Sequence, residues 1–362
     1  MSSKKSRVAI LFGGRSTEHK ISILSAKNVI KSIDKEKYEP ILIAIDKQGT
    51  WHRVKKDLLY LDKLTQDGSP VIDLDDPVLL SQNNGEHFIY NLKSHNTTSI
   101  DVLYPVLHGT YGEDGSVQGL AKLAGLPCVG CGILGSAIGM DKDIMKHVLL
   151  SMDIPVASWA TVRNSADGVD YSEIAEQLGS ELFIKPANLG SSVGVSHTTN
   201  EEQFFGALEK ALSYDSKVIV EEKVVGREIE CAVLGNAYPK ASVPGEIVSK
   251  GGFYSYENKY VDEKGAELLI PAVLIPEQTE AVQQLALETY VGLECRGLTR
   301  VDMFMTPDGE LIINEVNTIP GFTDISMYPK LWEASGLSQT DLITELIELA
   351  KEELETLNQL VL

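Results

Sequence analysis

The 362-residue chain is predicted to be an α/β protein of two or three domains, and three observations carry this prediction. Residues 7–12 and 101–107 are continuous apolar runs, which are typical of parallel strands buried on both faces. A Gly-rich loop and a helical stretch follow each run, as in a Rossmann-like unit. Residues 298–317 place strand formers on both sides of a Pro-Asp-Gly turn, which indicates an antiparallel hairpin. We therefore expect a Rossmann-like N-terminal domain followed by regions that contain antiparallel strands.

The composition excludes several classes of partner. The formal net charge of −20 makes the chain a poor candidate for binding nucleic acid or an anionic membrane. The apolar runs are too short to span a bilayer, and the chain starts without a signal region. Cys128 and Cys131 form a lone C-x-x-C motif, which favours core residues over a zinc site. We expect a cytoplasmic protein with no nucleic-acid partner and no membrane insertion.

The loops after the two N-terminal strands are candidate ligand sites, because open α/β sheets bind ligands at the C-terminal ends of their strands. Gly13 and Gly14 are the only glycines of the first loop, so the G-x-G-x-x-G fingerprint of NAD binding is not met. Glu18 precedes a helix over residues 21–32, and a capping role and a ligand-facing role both stay open. His108 ends the strand over 101–107 and is expected on the same rim.

The segments between and after these loops are less informative. Residues 38–45 are predicted to form the next strand, and residues 46–98 contain weak strands and turns without assignable chemistry. A helix is expected to end at Ala124, before Gly125. Residues 127–140 are rich in Gly and Cys and are interpreted as a domain linker. A further helix is expected to begin at residues 141–142.

Residues 182–195 deliver a lysine and a loop of small residues. Lys185 ends a predicted strand, and the loop from Gly190 to Gly194 exposes backbone N–H groups before a second strand begins at Val195. Such an arrangement between antiparallel strands can hold phosphate groups. It is not the P-loop, which requires G-x-x-x-x-G-K-[ST] followed by a helix. The alternative interpretation is a plain Gly-rich hairpin.

The C-terminal half contains a candidate hinge and a candidate lid. A strand from residue 217 ends in acidic residues and Gly226, which is typical of an inter-domain hinge where ligands bind. Residues 246–265 form a long loop with aromatic and basic side chains, which favours a closing lid. The helices expected in this half cover residues 200–212, 277–291 and 340–357.

The hairpin over residues 298–317 places polar side chains on one face. With residues 306–309 as the loop, Arg300, Asp302, Glu315 and Asn317 are expected together, away from the turn. The expected opposite pairs are Met305 with Glu310, Asp302 with Ile313, and Arg300 with Glu315. The expected apolar sets are Val301, Met303 and Met305 on one face, and Phe304, Leu311 and Ile313 on the other.

The carboxylates of Asp302 and Glu315 need compensation if they are buried together. Two carboxylates about 4 Å apart repel by roughly 4 kcal/mol at an effective dielectric of about 20. Two carboxylates and an amide oxygen are ligands that suit Mg²⁺, with phosphate oxygens completing its shell. The alternative is a solvated acidic face that Arg300 neutralises. The Asn317-Thr-Ile-Pro-Gly321 end exposes backbone N–H groups, as an oxyanion hole requires.

Seven stretches in this order resemble the ATP-grasp superfamily and, within it, the D-alanine–D-alanine ligase family. The resemblance covers nearly the whole chain. One departure is Lys20, where the family commonly has Glu. The matching stretches contain Gly13-Gly14 with Glu18, His108-Gly109 with Glu113-Asp114-Gly115, Met140-Asp141-Lys142, Lys185-Pro186 with Gly190-Ser191-Ser192, Arg227-Glu228, Arg300-Val301-Asp302, and Asn314-Glu315 with Asn317-Thr318 and Pro320-Gly321.

The resemblance implies a fold and a reaction. It implies an N-terminal Rossmann-like domain at residues 1–130 and two ATP-grasp α+β subdomains at 131–220 and 221–362, the last carrying the lid and the metal-binding hairpin. ATP would phosphorylate one D-alanine, and the amine of a second D-alanine would attack the D-alanyl phosphate. The product, D-alanyl-D-alanine, serves peptidoglycan precursor synthesis. A homodimer is expected from the family alone.

The resemblance also implies residue roles. Tyr260 matches a lid tyrosine that favours an amine nucleophile, whereas ligases that make D-alanyl-D-lactate usually have Phe or His there. The implied catalytic and substrate residues are Glu18, His108, Ser191, Tyr260, Arg300, Gly321 and Ser326. The implied ATP residues are Lys142, Lys185, Ser192, Glu221, Glu228 and Lys259. The implied ligands for two Mg²⁺ ions, or Mn²⁺, are Asp302, Glu315 and Asn317.

Three other functions stay open beside the dipeptide ligase. A D-alanine–D-lactate or D-alanine–D-serine ligase differs only in its second substrate. A catalytically silent ATP-binding module with the same fold would bind ATP without turnover. A biotin-dependent carboxylase is a weaker alternative, because the chain does not resemble its bicarbonate and biotin sites.

Overall fold

The computed structural model describes residues 4–54, 74, 76–249 and 266–360. Its N-terminal part is a four-stranded sheet in which β1 pairs in parallel with β2 and β7, and β3 pairs antiparallel with β2 at one edge. Both faces of β1 are buried, as its continuous apolar run predicts. Helix α1 covers one face and α2 the other. The elements are β1 (Ser6–Gly13), α1 (His19–Ser32), β2 (Tyr38–Ile45), β3 (Trp51–Val54), β4 (Val78–Asn83), β5 (Glu86–Asn91), β6 (Thr97–Ile100), β7 (Val102–Val106) and α2 (Ser116–Ala124).

The region without an assignment from the sequence holds a small antiparallel sheet of β4, β5 and β6. Asn84 and Gly85 form the turn between β4 and β5, and both adopt positive φ angles of 51° and 78°. These are the residue types that tolerate such angles. Ile89 and Ile100 of this sheet join the core below β1.

The interpretation of residues 127–140 as a linker is wrong, because a helix, α3 (Ile133–Met140), occupies most of them. Its glycines allow close packing against other elements. A Cβ atom at Gly135 would lie 2.8 Å from the Glu294 carbonyl oxygen, and one at Gly139 would lie 2.9 Å from the Thr318 side chain. The glycines that suggested a domain linker instead allow α3 to pack closely against other elements.

The central part is an antiparallel sheet in the order β10-β9-β11-β8. Asp141 accepts a hydrogen bond from the Ile144 N–H and so caps α4, which begins where the sequence predicts a helix. Helices α5 and α6 cover one face of the sheet, and their apolar side chains form a separate core with it. The elements are α4 (Lys142–Leu150), β8 (Trp159–Arg163), α5 (Tyr171–Leu178), β9 (Leu182–Pro186), β10 (Ser196–Thr198), α6 (Glu201–Leu212) and β11 (Lys217–Glu222).

The C-terminal part is a sheet in the order β15-β14-β12-β16-β17, with β13 paired to β12. Helices α4 and α7 pack on its apolar face. The polar face carries Glu230, Arg300 and Asp302. The elements are β12 (Arg227–Gly235), β13 (Lys240–Ala241), β14 (Gly245–Ser249), β15 (Ala266–Leu269), α7 (Pro276–Gly292), β16 (Gly297–Met305), β17 (Leu311–Asn317), α8 (Met327–Ala334) and α9 (Gln339–Asn358).

The predicted register of the β16–β17 hairpin is wrong, although its polar face is correct. Thr306 pairs with Glu310, which leaves a three-residue loop and shifts the register by one. A bulge at Asn314 adds a second shift of one residue. Because a total shift of two residues restores the original face, the four polar side chains still lie together. The observed pairs are Met305 with Leu311, Met303 with Ile313, Asp302 with Glu315, and Arg300 with Asn317.

The bulge also corrects the predicted apolar sets. Between the loop and the bulge, Ile313 and Leu311 face the same side as Met303 and Met305, and they pack in the core under α7. Phe304 is paired with Ile312 instead. None of the helices within the described ranges combines the length and the apolar character needed to cross a membrane.

Candidate active site

Two adjoining cavities are lined by most of the predicted site residues, and Asp302 is on the lining of neither. The first cavity, of about 100 Å³, lies between the N-terminal loops, the 190–191 loop and the polar face of the C-terminal sheet. The second cavity, of about 320 Å³, lies between the central sheet and the C-terminal sheet. Glu315 lines both cavities, so they meet at its carboxylate. The predicted residues on the first are Glu18, His108, Ser191, Arg300, Glu315, Asn317, Gly321 and Ser326, and those on the second are Lys142, Lys185, Ser192, Glu221, Glu228 and Glu315.

Glu18 is a buried carboxylate whose surroundings require glycine. Its Oε1 accepts a hydrogen bond from the Ser191 hydroxyl, so the first Gly loop meets the Gly/Ser loop. A Cβ atom at Gly109 would lie 2.5 Å from Glu18 Oε2, and one at Gly190 would lie 2.9 Å from the same oxygen. Glu18 precedes α1 without a side-chain capping bond, so the ligand-facing interpretation is favoured over the cap. Lys20 is exposed, so it does not share this buried site.

His108 is held by protein groups on both sides of its ring. Nδ1 lies 2.9 Å from the Ile319 carbonyl oxygen, and Nε2 lies 2.9 Å from the Ser25 hydroxyl. Burial lowers the pKa of His108 to about 4, against the hydrogen bond to Ile319, and the charge of Arg300 lowers it further. The imidazole is therefore neutral at pH 7. His108 lines the first cavity together with Glu18, but both of its ring nitrogens are occupied.

Arg300 is buried between two carboxylates of the sheet. It donates to Asp302 through Nε and an η nitrogen, at 2.7 Å each, and its Nε lies 2.9 Å from Glu230 Oε2. Burial alone would lower the pKa of the guanidinium, but attraction from Asp302 and Glu230 outweighs it and raises the pKa well above its ordinary value. Arg300 is thus a fixed positive charge that faces the first cavity.

Asp302, Glu315 and Asn317 form an oxygen-rich group that fits a magnesium ion. Asn317 donates to Asp302 at 3.0 Å, and Glu315 lies opposite Asp302 in the sheet. The Lys142 ammonium lies 3.4 Å from Glu315. Carboxylate and amide oxygens are the donors that Mg²⁺ prefers. No cluster of three or more His, Cys, Asp or Glu side chains suited to a metal occurs in the described part of the chain, so ligand phosphates would have to supply further oxygens.

Lysines from the central part face the second cavity. Lys142, at the start of α4, donates to the Leu189 carbonyl oxygen at 2.7 Å. Lys185, at the end of β9, forms an ion pair with Glu221 and lies 3.4 Å from Asn314 of the bulge. Ser191 and Ser192 both adopt positive φ angles, 51° and 57°, in the loop between β9 and β10. Non-glycine residues at such angles are uncommon and cluster at ligand sites.

Glu221 is shared by two lysines, one of which the sequence reasoning missed. Lys146 is fully buried, and its ammonium lies 2.8 Å from Glu221 and donates to the Ala157 carbonyl oxygen at 3.0 Å. Burial opposes ionisation of Glu221, but Lys146 and Lys185 lower its pKa to about 2. Lys146 lies one helical turn after Lys142, which is the one signal that could have found it.

Glu113 is a second residue whose contact the sequence reasoning missed. It lies five residues after His108, in one of the stretches that carry the family resemblance, and no role is predicted for it from the sequence. Its two oxygens accept hydrogen bonds from the Gly109 N–H at 2.7 Å and the Ile319 N–H at 3.0 Å. Burial, and then the nearby charge of Glu18, raise the pKa of Glu113 to about 8. Lys259 and Tyr260, predicted in the lid, lie outside the described residues.

Family models match most of the chain. The model described as D-ala D-ala ligase N-terminus matches residues 7–131, and the model described as D-ala D-ala ligase C-terminus matches residues 148–348. The chain belongs to the D-alanine–D-alanine ligase family. The family resemblance inferred from the sequence is therefore confirmed, and the family is that of ADP-forming ligases with the ATP-grasp fold.

Individual relatives agree with this family over their full lengths. A D-alanine–D-alanine ligase of Shouchella clausii (strain KSM-K16) is 51% identical over 361 residues, with 98% of this chain and 97% of that one covered. The solved structure of the D-alanine-D-alanine ligase from Coxiella burnetii has a TM-score of 0.85 at 38% identity, covering 99% of this chain and 97% of that one. The VanG D-Ala:D-Ser ligase from Enterococcus faecalis has a TM-score of 0.85 at 36% identity, covering 96% and 100%.

Proposed function

We propose that the protein joins two D-alanine molecules to D-alanyl-D-alanine, with ATP converted to ADP and phosphate, for peptidoglycan precursor synthesis. The observation that supports this most directly is the meeting of the two cavities at Glu315. A nucleotide in the second cavity would point its terminal phosphate at the first. A carboxylate is a poor electrophile, so the reaction needs the phosphoryl group at that junction.

In the first cavity, Glu18 would bind the ammonium group of the first D-alanine. The hydrogen bond from Ser191 would keep the Glu18 carboxylate in place. The amine of the second D-alanine then attacks the D-alanyl phosphate, and the tetrahedral adduct expels phosphate. Arg300 and the Gly321 N–H would stabilise the oxyanion of that adduct. The hydroxyl of Ser326, which accepts from the Thr323 N–H at 2.9 Å, would bind the carboxylate of the second substrate.

In the second cavity, Lys142, Lys185 and Ser192 would contact the ATP phosphates. Glu221 and Glu228 would hold the adenine and the ribose, and Lys259 would reach the phosphates from the lid. Lys185 would have to exchange its ion pair with Glu221 for a phosphate contact. Lys146 remains beside Glu221 in that exchange, so the carboxylate would keep a buried partner.

Asp302, Glu315 and Asn317 would hold two Mg²⁺ ions, and Mn²⁺ would suit the same oxygen donors. When bound, these ions would neutralise negative charge on ATP and on the transferring phosphoryl group. The support in this chain is the group of carboxylate and amide oxygens on one face of β16 and β17. There, Lys142 pairs with Glu315 and Arg300 pairs with Asp302.

The test is phosphate release from Mg-ATP with D-alanine, with L-alanine and with no amino acid, together with detection of the dipeptide. Release only with D-alanine, accompanied by dialanine, is the expected result. ATP binding without release would favour the silent ATP-binding module. Glu18→Gln should lose the phosphate release that D-alanine stimulates while it keeps ATP binding, because it removes the charge that would pair with the substrate ammonium and Glu18 does not line the second cavity.

The second substrate is a separate question, because the two solved relatives above share the same TM-score but differ in their named substrates. We propose D-alanine, on the ground that Tyr260 matches the tyrosine of dipeptide ligases. Competition among D-alanine, D-serine and D-lactate across pH tests this proposal. Preferential D-alanyl-D-lactate or D-alanyl-D-serine formation would overturn it.

We also propose a homodimer that works in the cytoplasm, where ATP is available. Support for the dimer comes from apolar side chains exposed on α2 and α3, including Leu123 at 86% exposure and Leu134 at 57%. Ile133 of α3 lies near Gly115, which precedes α2, and near Gly119 of α2, so the two helices are neighbours. Light scattering should give twice the mass of the chain, and Leu123→Glu should give monomers.

A further inference from the structure

The segment of residues 319–322, called here the Gly321 segment, is held at its first residue by two side chains from the N-terminal part. The Ile319 N–H donates to Glu113 Oε1 at 3.0 Å. The Ile319 carbonyl oxygen accepts from His108 Nδ1 at 2.9 Å. The backbone N–H and the carbonyl oxygen of Ile319 are therefore both fixed by residues that follow β7, more than 200 positions earlier in the chain.

The last residue of the segment is held in the same way by α1. The Phe322 N–H donates to Ser25 Oγ at 3.1 Å, and the Phe322 carbonyl oxygen accepts from Asn28 Nδ2 at 2.9 Å. Asn28 also donates to Asp324 at 3.0 Å. Ser25 is fully buried, so its contact with the segment is shielded from water.

The two ends are tied to each other. His108 donates from Nδ1 to Ile319, so its Nε2 accepts a hydrogen bond from the Ser25 hydroxyl, which is 2.9 Å away. The same hydroxyl oxygen accepts from the Phe322 N–H. One tautomer of the neutral imidazole satisfies the whole chain of contacts. A continuous path of hydrogen bonds through His108 and Ser25 thus connects Ile319 with Phe322.

Gly321 lies between these fixed ends and lines the first cavity. Pro320 has no N–H, and the Gly321 N–H meets no acceptor among the residues that the structure describes. A Cβ atom at position 321 would lie 2.7 Å from Ser326 Oγ, so glycine is required for this close approach. The single unengaged N–H of the segment therefore belongs to a residue that lines the cavity, while the N–H groups of Ile319 and Phe322 are hydrogen-bonded.

We infer that Ser25, Asn28, His108 and Glu113 are positioning residues, which fix the Gly321 segment from the N-terminal part and thereby aim the Gly321 N–H at the reacting carbonyl. This inference rests on the proposed function. A donor stabilises an oxyanion only if it already points at the position of the developing charge, and a shift of about 1 Å can cost roughly a hundredfold in rate. Four contacts at Ile319 and Phe322 supply that rigidity.

The test compares two asparagines with the same kind of contacts. Asn28 donates to a backbone carbonyl at 2.9 Å and a carboxylate at 3.0 Å, and Asn236 does so at 3.0 Å and 2.9 Å, but on the turn after β12. We expect Asn28→Ala to lower kcat roughly ten- to hundredfold with the KM for ATP unchanged. Asn236→Ala should leave kcat unchanged. Ser25→Ala should act as Asn28→Ala does.

Two further readouts separate positioning from general damage. Binding of a phosphinate dipeptide, which imitates the tetrahedral adduct, should weaken in Asn28→Ala by the same factor as kcat. Amide hydrogen exchange in a peptide covering residues 318–326 should accelerate in Asn28→Ala and not in Asn236→Ala. Unchanged kcat in Asn28→Ala, or equal losses in both variants, would overturn the inference. If the wild-type chain makes no dipeptide, the proposed function fails and this inference falls with it.

Discussion

Glu221 shows how the site manages buried charge with its own side chains. Two ammonium groups share one carboxylate, and Lys146 has no access to water. Burial lowers the pKa of Lys146, against the attraction of Glu221. Removing one partner of a buried ion pair is far more costly than removing an exposed one, because the remaining charge keeps its desolvation penalty.

Lys146→Met should therefore lower the free energy of unfolding by about 3 kcal/mol, since Glu221 would retain only Lys185. Denaturant unfolding without nucleotide measures this change. Lys223→Met is the matched control, because Lys223 pairs with Glu181 on the exposed side of the same region. Equal stabilities of the two variants would show that Lys146 does not carry the buried pair.

Glu315→Gln should abolish turnover more than it weakens folding, because the amide keeps the size of the side chain but removes the charge at the junction of the cavities. Phosphate release and the thermal midpoint measure the two effects. Glu310→Gln, near the turn of the same hairpin, is the control. A Glu315→Gln enzyme with a near-normal rate would remove this residue from the proposed metal site.

His108 predicts a dependence of stability on pH. Its pKa is about 4 in the folded protein and about 6.5 when unfolded. The unfolded state thus binds the proton first, so the contribution of neutral His108 is complete above about pH 6.5. It is lost as the pH falls toward 4, and its size is about 3 kcal/mol.

Replacing His108 by Gln should flatten the fall in stability between pH 6.5 and 4, as measured by denaturant unfolding at several pH values. Arg300 is the charged group that lowers the pKa of this ring, and Glu113 is a second titratable group on the same cavity. The raised pKa of Glu113 acts in the opposite sense, lowering stability as the pH rises from 4.5 to about 8, and it is common to both chains. Parallel profiles for wild type and variant would contradict the prediction.

At the scale of elements, the loops of the first cavity depend on glycine for space as well as for backbone conformation. Gly109 has a φ of 73°, and an added Cβ would meet Glu18. Gly125, at the end of α2, has a φ of 67° and open space around it. Replacing either glycine by alanine would strain the backbone in the same way. Only the Cβ atom at position 109 would also clash with Glu18.

Gly109→Ala and Gly125→Ala should lose similar stability, about 1 kcal/mol each, from the left-handed backbone. Only Gly109→Ala should raise the KM for the first D-alanine, by roughly tenfold or more, because it displaces the Glu18 carboxylate. Steady-state kinetics and thermal unfolding separate the two effects. A Gly125→Ala enzyme with the same KM defect would refute the steric explanation.

The sequence predicted elements well where local patterns decide them. The apolar runs, the caps and the turn residues placed β1, β7, α6 and α9 within a few residues of their observed bounds. The hairpin register failed because a bulge at Asn314 depends on packing of β17 against its neighbours, which no local pattern encodes. The prediction of the polar face is correct only because the two register shifts, one at the loop and one at the bulge, add to an even number of residues.

The site also combines residues that local motifs predict with residues that only long-range contacts reveal. The lysines Lys142 and Lys185, Glu315 of β17 and the Gly/Ser loop carry motif signals, and they line the two cavities. Ser25, Glu113 and Lys146 also make contacts with residues far away in the chain, namely Phe322, Ile319 and Glu221, and local patterns do not indicate these partners. Long-range hydrogen bonds of ordinary residues are what the sequence alone does not predict.

At the scale of the whole molecule, the N-terminal sheet shares one of its hydrophobic cores with C-terminal elements. One face of β1 packs with α1 into a cluster that also contains Leu342, Leu346 and Ile347 of α9 and Leu234 of β12. The other face packs with α2 within the N-terminal part. The domain boundaries at residues 130 and 220 stay a prediction, but a break at 130 would expose the first of these faces.

A fragment of residues 1–130 should therefore be unstable alone, since α1 would present its apolar face to water. Dye binding to exposed apolar surface and loss of cooperative thermal unfolding measure this, with the full chain as the control. Adding residues 131–362 as a second polypeptide should suppress the dye signal. A fragment that unfolds cooperatively without dye binding would show that α2 and the sheet suffice.

The shared position of Glu315 has a consequence for inhibitor chemistry. A compound that links a purine-like group to an amino-acid group usually loses affinity to the flexible tether between them. Here the two compartments touch at a single carboxylate, so a tether of only a few atoms would reach from one to the other. A cationic or hydrogen-bond-donating atom in the middle of that tether would meet Glu315, which makes the junction itself an anchoring point.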